Sequence, residues 1–134
     1  MKEEKNTQND FSEIVTKGHV ASRGLNSGIT VGIAKVILSP EDTIRLQRGE
    51  ILVTTMTTPD YSIAISRAAA IVTDEGGVTC HAAIVSRELG IPCVIGTENA
   101  TKLVKDGEKL KVDSNEGVIY RRGSQNEEDN LLEQ

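Results

Sequence analysis

The sequence predicts an α/β fold in a single domain. Short runs of β-branched and apolar residues alternate with segments that favour helix, which is the order expected of strands covered by helices. Glycine and proline residues separate these segments, as they do at turns. The chain has 134 residues, which is enough for one hydrophobic core and too few for a second domain of ordinary size.

The start of the chain is polar. After Met1 the first large apolar residue is Phe11, so we expect residues 1–16 to form a polar tail. Within that tail, Phe11, Ile14 and Val15 have the i, i+3, i+4 spacing of a helix face. They predict a short helical turn that docks on the domain.

Strand and helix patterns follow in alternation. Residues 18–38 contain several glycines among β-favouring residues and predict strands with bends. Pro40 begins a helical segment that we expect to end near Gly49. A strand over Ile51–Thr54 comes next, and then a helix that begins at Pro59.

The central segment has the order strand, glycine turn, helix, strand. Residues 69–73 are apolar and β-branched, and a glycine-rich turn ends them. We expect Thr79 to be the N-cap of the next helix, and Gly90 with Pro92 to end it. His81 is therefore predicted to lie in the first turn of this helix.

The C-terminal third completes the predicted sheet. Cys93–Ile95 is an apolar strand, and residues 97–104 favour a short helix. Residues 109–112 and 118–120 flank a polar segment with a glycine, which predicts a β-hairpin with a loop of about five residues.

The position of His81 favours chemistry with an anion. The first turn of a helix has unpaired N–H groups and the positive end of the helix dipole, so it attracts anionic groups. Gly76 and Gly77 have no Cβ and would let such a group approach the backbone. Glu88 falls on the same helix face but lies ~10 Å away along the axis, so a histidine–carboxylate pair within this helix is excluded.

Charge and composition exclude several classes of partner. The formal net charge is −5 and only 2% of residues are aromatic, without a basic patch for nucleic acid. No apolar run is long enough to span a membrane and no signal peptide opens the chain, so we expect a cytoplasmic protein. Residues 123–134 hold four acidic residues and no basic one and predict an acidic, disordered tail. The folded domain is then expected to span residues 17–122.

The two cysteines predict neither a disulfide nor a metal site. Cys80 and Cys93 are the only cysteines, and in a chain without an export signal reduced thiols are the default. Adjacent Cys80 and His81 do not match the usual spacings of zinc ligands.

The central segment resembles the signature of the phosphohistidine swivelling domain, the mobile domain of PEP-utilising enzymes. Its pattern is roughly G-G-x-T-x-H-A-A-I-x-x-R-E-x-G-I-P, and the cysteine before the histidine makes it most similar to that of phosphoenolpyruvate synthases. The resemblance covers about residues 17–121 and implies a layered β/β/α swivelling fold. The matching residues are Gly76, Gly77, Thr79, His81, Ala82, Ala83, Ile84, Arg87, Glu88, Gly90, Ile91 and Pro92.

The resemblance also implies roles for single residues. His81 would carry a phosphoryl group on a ring nitrogen, as the nucleophile of the family does. Thr57 and Thr58 would face the histidine and lend their hydroxyl groups to the phosphoryl group, beside Gly76 and Gly77. Thr79 lies at the position that a dedicated regulatory kinase phosphorylates in some members. Arg23 stands where the family commonly has proline, so the geometry of that turn differs from the family pattern.

The resemblance implies two partners. A separate ATP-grasp protein would bind ATP with Mg²⁺, and a separate barrel protein would bind PEP or pyruvate. We expect this domain to bind no cofactor and no metal of its own, and to act as a free-standing phosphohistidine carrier. Two alternatives stay open: a regulatory or interaction module that keeps the fold without productive phosphorylation, and the histidine domain of another dikinase with a different acceptor.

Overall fold

The computed structural model describes residues 10–123 as an eight-stranded mixed sheet with short helices. Its strands are β1 Glu13–Lys17, β2 His19–Ser22, β3 Ile29–Ile37, β4 Ile51–Thr54, β5 Ala70–Thr73, β6 Cys93–Ile95, β7 Lys109–Asp113 and β8 Val118–Arg121. Its α-helices are α1 Ser62–Arg67, α2 His81–Leu89 and α3 Ala100–Leu103, and 3₁₀ helices cover Pro40–Arg45 and Pro59–Tyr61. The predicted α/β class is confirmed.

Strand β3 belongs to two sections of the sheet. The strand order is β1-β8-β7-β3-β4-β5-β6-β2. The first half of β3 pairs antiparallel with β7, and its second half pairs parallel with β4. Strands β3 to β6 are parallel, whereas β1, β8 and β7 pair antiparallel. One long strand therefore connects a parallel section to an antiparallel one.

Alternate residues of the parallel strands face two different cores. On β4, Leu52 packs into the core shared with α1 and α2, whereas Ile51 and Val53 pack into the core shared with α3, β7 and β8. On β5, Ile71 and Val72 divide in the same way. Such continuous apolar runs are expected of parallel strands that are covered on both faces. This arrangement is the layered β/β/α fold that the resemblance implied.

The short docking helix predicted near Phe11 is wrong, because residues 13–17 form strand β1. This strand pairs antiparallel with β8, and the edge of β8 satisfies its backbone hydrogen bonds. Phe11 is buried as expected, whereas Ile14 is 49% exposed. Two adjacent β-branched residues, Ile14 and Val15, favour an extended backbone more than their helical spacing favours a helix. The boundary predicted at residue 17 is the last residue of this strand.

The ends of the described region lie side by side. The Gly123 N–H donates a hydrogen bond of 3.0 Å to the Asp10 carbonyl oxygen. The tails predicted for residues 1–9 and 124–134 lie outside the described residues.

Other predicted strands and helices are present, but several are shorter than the sequence predicted. Strands with a bend between them occupy residues 19–37. The segment after Pro40 is a 3₁₀ helix that ends at Arg45, earlier than the predicted end near Gly49. The predicted hairpin is formed by β7 and β8.

Candidate functional site

The candidate site is built on the turn between β5 and α2. Asp74 fixes the start of this turn through its backbone and its side chain. Its N–H donates to the Thr54 carbonyl oxygen (3.0 Å), and its own carbonyl oxygen accepts from the Glu98 N–H (2.8 Å). Its carboxylate accepts hydrogen bonds from the N–H (2.9 Å) and the hydroxyl (2.5 Å) of Thr101. The turn therefore leaves the sheet from a firmly held residue.

The two glycines of the turn differ. Gly76 has a φ of 128°, and a Cβ on it would lie 2.9 Å from the Cys80 Sγ atom, so a side chain here would be strained. Gly77 has no positive φ, and a Cβ on it would meet no atom within 4 Å. The fold therefore requires the first glycine and not the second.

The turn and the start of α2 hold a run of unpaired backbone N–H groups. The Cys80 N–H donates to the Gly77 carbonyl oxygen (3.0 Å), and the Ile84 N–H donates to that of Cys80 (3.1 Å). Within residues 10–123, the N–H groups of residues 76–79 and 81–83 have no hydrogen-bond acceptor. Unpaired N–H groups on successive turn and helix residues attract anions.

The helix begins one residue later than the sequence predicted. Thr79 was expected to be the N-cap, but this position is taken by Cys80, with an extended backbone and no side-chain hydrogen bond to the helix. The Cys80 N–H already closes a turn onto Gly77, and this turn leaves Thr79 exposed before the helix. The N-cap role of Thr79 is therefore wrong. His81 is the first residue of α2, as predicted for the first turn.

The His81 ring is held by Thr57, from the loop after β4. The Thr57 Oγ1 atom lies 2.8 Å from His81 Nδ1, and Thr57 is buried while His81 is half-buried. When Nδ1 carries the proton and donates it to Thr57, Nε2 has the free lone pair. Among the described residues Nε2 has no hydrogen-bond partner.

Thr58 has a different position from Thr57. It is the N-cap residue of the 3₁₀ helix Pro59–Tyr61, without a side-chain cap hydrogen bond. Thr57, Gly76 and His81 line one cavity of about 250 Å³, whereas Thr58, Gly77 and Thr79 do not line it. The structure therefore brings three of the six predicted site residues to one cavity.

Several residues of this region were not predicted from the sequence. Met56, Thr73, Glu75, Cys80 and Ala82 also line the cavity. A larger open groove of about 700 Å³ shares Glu75 and Gly76 with the cavity. The pairing of Asp74 with Thr101 was also missed, since 27 positions separate the two residues and no local pattern connects them.

Helix α2 is anchored to the sheet behind the site. Arg87 Nε donates to the Ala21 carbonyl oxygen on β2 (2.9 Å). Gly90 ends the helix with a φ of 72°, as predicted for the left-handed position after a helix. Burial raises the pKa of Cys93 to about 12, and the hydrogen bond with Ser86 lowers it by less. The thiol under the helix is therefore neutral.

Two structural features are absent from residues 10–123. These residues contain no group of three or more His, Cys, Asp or Glu side chains that could hold a metal ion. In the same part of the chain, every helix is too short or too polar to cross a membrane.

Comparison with known proteins shows the family to which this chain is similar. Residues 46–117 match the model of the PEP-utilising enzyme mobile domain. The chain is 53% identical over 121 residues to a probable phosphoenolpyruvate synthase of Archaeoglobus fulgidus, which covers 89% of this chain and 16% of the relative. It is 53% identical over 110 residues to the phosphoenolpyruvate synthase of Pyrococcus furiosus, which covers 82% of this chain and 13% of the relative. The chain thus spans less than one-fifth of the length of these curated relatives.

A solved structure agrees with this family. The solution structure of an Enzyme I protein superposes with a TM-score of 0.53 at 29% identity, over 69% of this chain and 38% of the other. The family match covers more than half of the chain and includes β4 to β7 with the turn and helix that hold His81. The chain therefore belongs to the family of mobile, histidine-carrying domains of PEP-utilising enzymes.

Proposed function

We propose that His81 carries a phosphoryl group between an ATP-binding partner and a partner that binds PEP or pyruvate, in the manner of phosphoenolpyruvate synthases. One observation carries the proposal: Nδ1 is held by Thr57 at 2.8 Å, at a helix start flanked by a run of unpaired N–H groups. The ring is thereby oriented, and the surrounding backbone favours the oxygens of a phosphoryl group.

The chemistry requires two transfers at one nitrogen. The lone pair of Nε2 forms a bond to phosphorus, and the electrons of the breaking P–O bond leave with the donor oxygen. The proton on Nδ1 stays with the ring, hydrogen-bonded to Thr57. In the second transfer, an oxygen of the acceptor attacks phosphorus and the N–P bond electrons return to Nε2. The phosphohistidine intermediate thus divides one difficult transfer into two.

We propose that ATP and Mg²⁺ bind to partners of this domain. The sequence has neither the glycine-rich lysine loop of P-loop proteins nor, within residues 10–123, a cluster of acidic side chains suited to a metal. We propose that a separate ATP-grasp protein and a separate PEP- or pyruvate-binding barrel supply these sites. In the type of reaction proposed, the group derives from the β-phosphate of ATP.

A regulatory role is proposed for Thr79. This residue is exposed, two positions before His81, and its backbone N–H is one of the unpaired groups. A regulatory kinase could reach its hydroxyl without unfolding the helix, because Thr79 is not the helix cap. A phosphate on this hydroxyl would place negative charge where the transferred phosphoryl group must arrive.

The test uses the two histidines of the chain. The purified domain is incubated with ³²P-labelled PEP and a PEP-binding partner, and the labelled product is checked for acid lability and alkali stability. We expect His81→Ala to abolish labelling. His19 is an exposed residue of strand β2, and we expect His19→Ala to keep the labelling. Undiminished labelling of His81→Ala would disprove the assignment. A wild-type domain that no partner labels would favour the non-catalytic module.

A further inference from the structure

The fold itself explains most of the glycines in this chain. The chain has 12 glycines, and eight of them have a positive φ that other residues rarely adopt: Gly24, Gly28, Gly49, Gly76, Gly90, Gly96, Gly107 and Gly117. Three more would place a Cβ between 2.5 and 3.2 Å from neighbouring atoms: Gly18, Gly32 and Gly123. A side chain at these eleven positions would strain the backbone or require a neighbouring atom to move.

Gly77 is the exception. Its φ lies outside the left-handed region, and a Cβ on it would have no atom within 4 Å. It is exposed and is the first residue of the turn closed by the Cys80 N–H. The first position of such a turn accepts most residue types. The domain alone therefore gives no reason for glycine at this position.

The surroundings of Gly77 indicate what needs the open space. Its N–H and that of Val78 belong to the unpaired run before His81. Val78 itself is 71% exposed, so the outer side of the turn is accessible. A tetrahedral anion that accepts hydrogen bonds from these N–H groups lies close to the Cα atom of the residue that carries them, and a Cβ there would hinder it.

We propose that the missing Cβ of Gly77 keeps open the place taken by the transferred phosphoryl group as it joins or leaves His81. This inference rests on the proposed function and assigns a part of that site. The phosphoryl oxygens accept hydrogen bonds from the turn N–H groups while the N–P bond of His81 forms and the donor P–O bond breaks. Gly77 is a positioning residue, and Gly76 beside it serves the fold.

The test is Gly77→Ala, which keeps the N–H and adds only the Cβ. Two phosphoryl donors are used: labelled PEP with the PEP-binding partner, and phosphoramidate alone, a small reagent that phosphorylates histidine without a protein. In the second reaction the N–P bond of the reagent breaks, ammonia leaves, and Nε2 forms the new bond. We expect both rates to fall about tenfold or more, because the added Cβ holds the phosphoryl oxygens away from the turn N–H groups, and a transition state that loses one such donor slows by this much or more. The melting temperature should not fall.

Two matched variants separate positioning from folding. Gly107→Ala introduces a Cβ at a φ of 89° where no atom lies within 4 Å, outside both the cavity and the groove. It should lower the melting temperature by about 4 °C and leave both phosphorylation rates unchanged. Gly76→Ala should lower stability and rates together, because of its φ and its contact with Cys80.

The outcomes are distinct. Unchanged rates for Gly77→Ala with both donors would overturn the proposal, as would a melting temperature lowered as much as in Gly107→Ala. A loss confined to the partner reaction would also overturn it, because the open space would then serve the partner's surface. If PEP and partner fail to label even the wild type, the proposed function fails, while the phosphoramidate rates still decide the role of Gly77.

Discussion

The turn before α2 and the hairpin between β7 and β8 treat their backbone N–H groups in opposite ways. In the hairpin between β7 and β8, residues 114–117 all donate: Ser114 to the Gly28 carbonyl oxygen, Asn115 and Glu116 to the Asp113 carboxylate, and Gly117 to the Asp113 carbonyl oxygen, at 2.8–3.1 Å. In the turn before α2, residues 76–79 have no acceptor within the described chain.

In the hairpin the backbone donors serve the fold, whereas in the turn before α2 they stay open, as the proposed phosphoryl site requires. Unpaired N–H groups are stable here because the turn is exposed and water satisfies them. The groups thus stay available to an incoming anion, and the backbone donors that are paired lie at the ends of the turn, on Asp74, Glu75 and Cys80. We therefore expect changes at residues 77–79 to have little effect on stability, and changes in the hairpin to have little effect on the site.

The largest expected effect comes from a charge on the open turn. Thr79→Glu should slow the labelling of His81 about a hundredfold at low ionic strength, because two unit charges ~5 Å apart repel by roughly 3 kcal/mol at an effective dielectric constant of ~20. Salt should reduce the effect. The measurement is the initial rate of labelling at two ionic strengths, beside thermal melts.

Thr79→Val is the matched control for this experiment. It removes the hydroxyl without adding charge, and since Thr79 caps no helix, both its melting temperature and its labelling rate should stay near those of the wild type. Equal losses of labelling in the Glu and Val variants would contradict the regulatory role of Thr79.

A change in the hairpin between β7 and β8 should affect stability and leave the labelling of His81 unchanged. Asp113→Ala removes the acceptor of two backbone N–H groups, and we expect it to lower the free energy of unfolding by about 2 kcal/mol. Urea titration measures this loss, and the labelling of His81 per folded molecule should not change. A loss of labelling beyond the unfolded fraction would show that the two turns are coupled.

A smaller effect is expected at Thr57. Thr57→Val keeps the shape and removes the hydroxyl that contacts Nδ1, so the ring loses the partner that fixes its proton. Labelling should slow about tenfold, equal to about 1.4 kcal/mol. The ¹⁵N shifts of the His81 ring should show a changed tautomer ratio, and Thr57→Ser should restore both. An unchanged tautomer ratio would show that the hydrogen bond does not set the proton position.

The smallest effect tests how firmly α2 is seated behind the open turn. Burial raises the pKa of Cys93 from 9.0 to about 12, so between these values the unfolded chain loses a proton that the folded chain keeps. The contribution of the Cys93 thiol to the free energy of unfolding is fully present well below pH 9. It is lost as the pH rises, by about 1 kcal/mol between pH 9 and pH 10. Urea titrations at both pH values measure the slope. Cys93→Ala should lack this part of it, and an equal slope in the variant would contradict the burial of the thiol.

The sequence was most informative where local chemistry decides the structure. Gly90 and Pro92 marked the end of α2 correctly, because a left-handed φ and a missing N–H are properties of single residues. The order of strands and helices followed from apolar runs in the same way. The glycine turn and His81 were found by resemblance and by their place before a helix.

Other features depended on residues far apart in the chain. Strand β1 was missed because its partner β8 lies about a hundred positions later, and the spacing of Phe11, Ile14 and Val15 fits a helix when it is read alone. Threonine is a common N-cap residue, which is why the sequence predicts a cap at Thr79. The hydrogen bond from the Cys80 N–H closes a turn onto Gly77, so the helix begins one residue later. The roles of Gly76 and Gly77 could be separated only once the surroundings of each were known.

The hydrogen bond between Gly123 and Asp10 has a mechanical consequence. Strands β1 and β8 are antiparallel, and their outer ends meet at this bond, so chain that enters and chain that leaves the described region pass through one point. A force that separates the two ends would open the β1–β8 pairing one bond at a time, starting there. A force that moves both ends together does not pull the two strands apart. A displacement common to both ends therefore leaves the β1–β8 pairing intact.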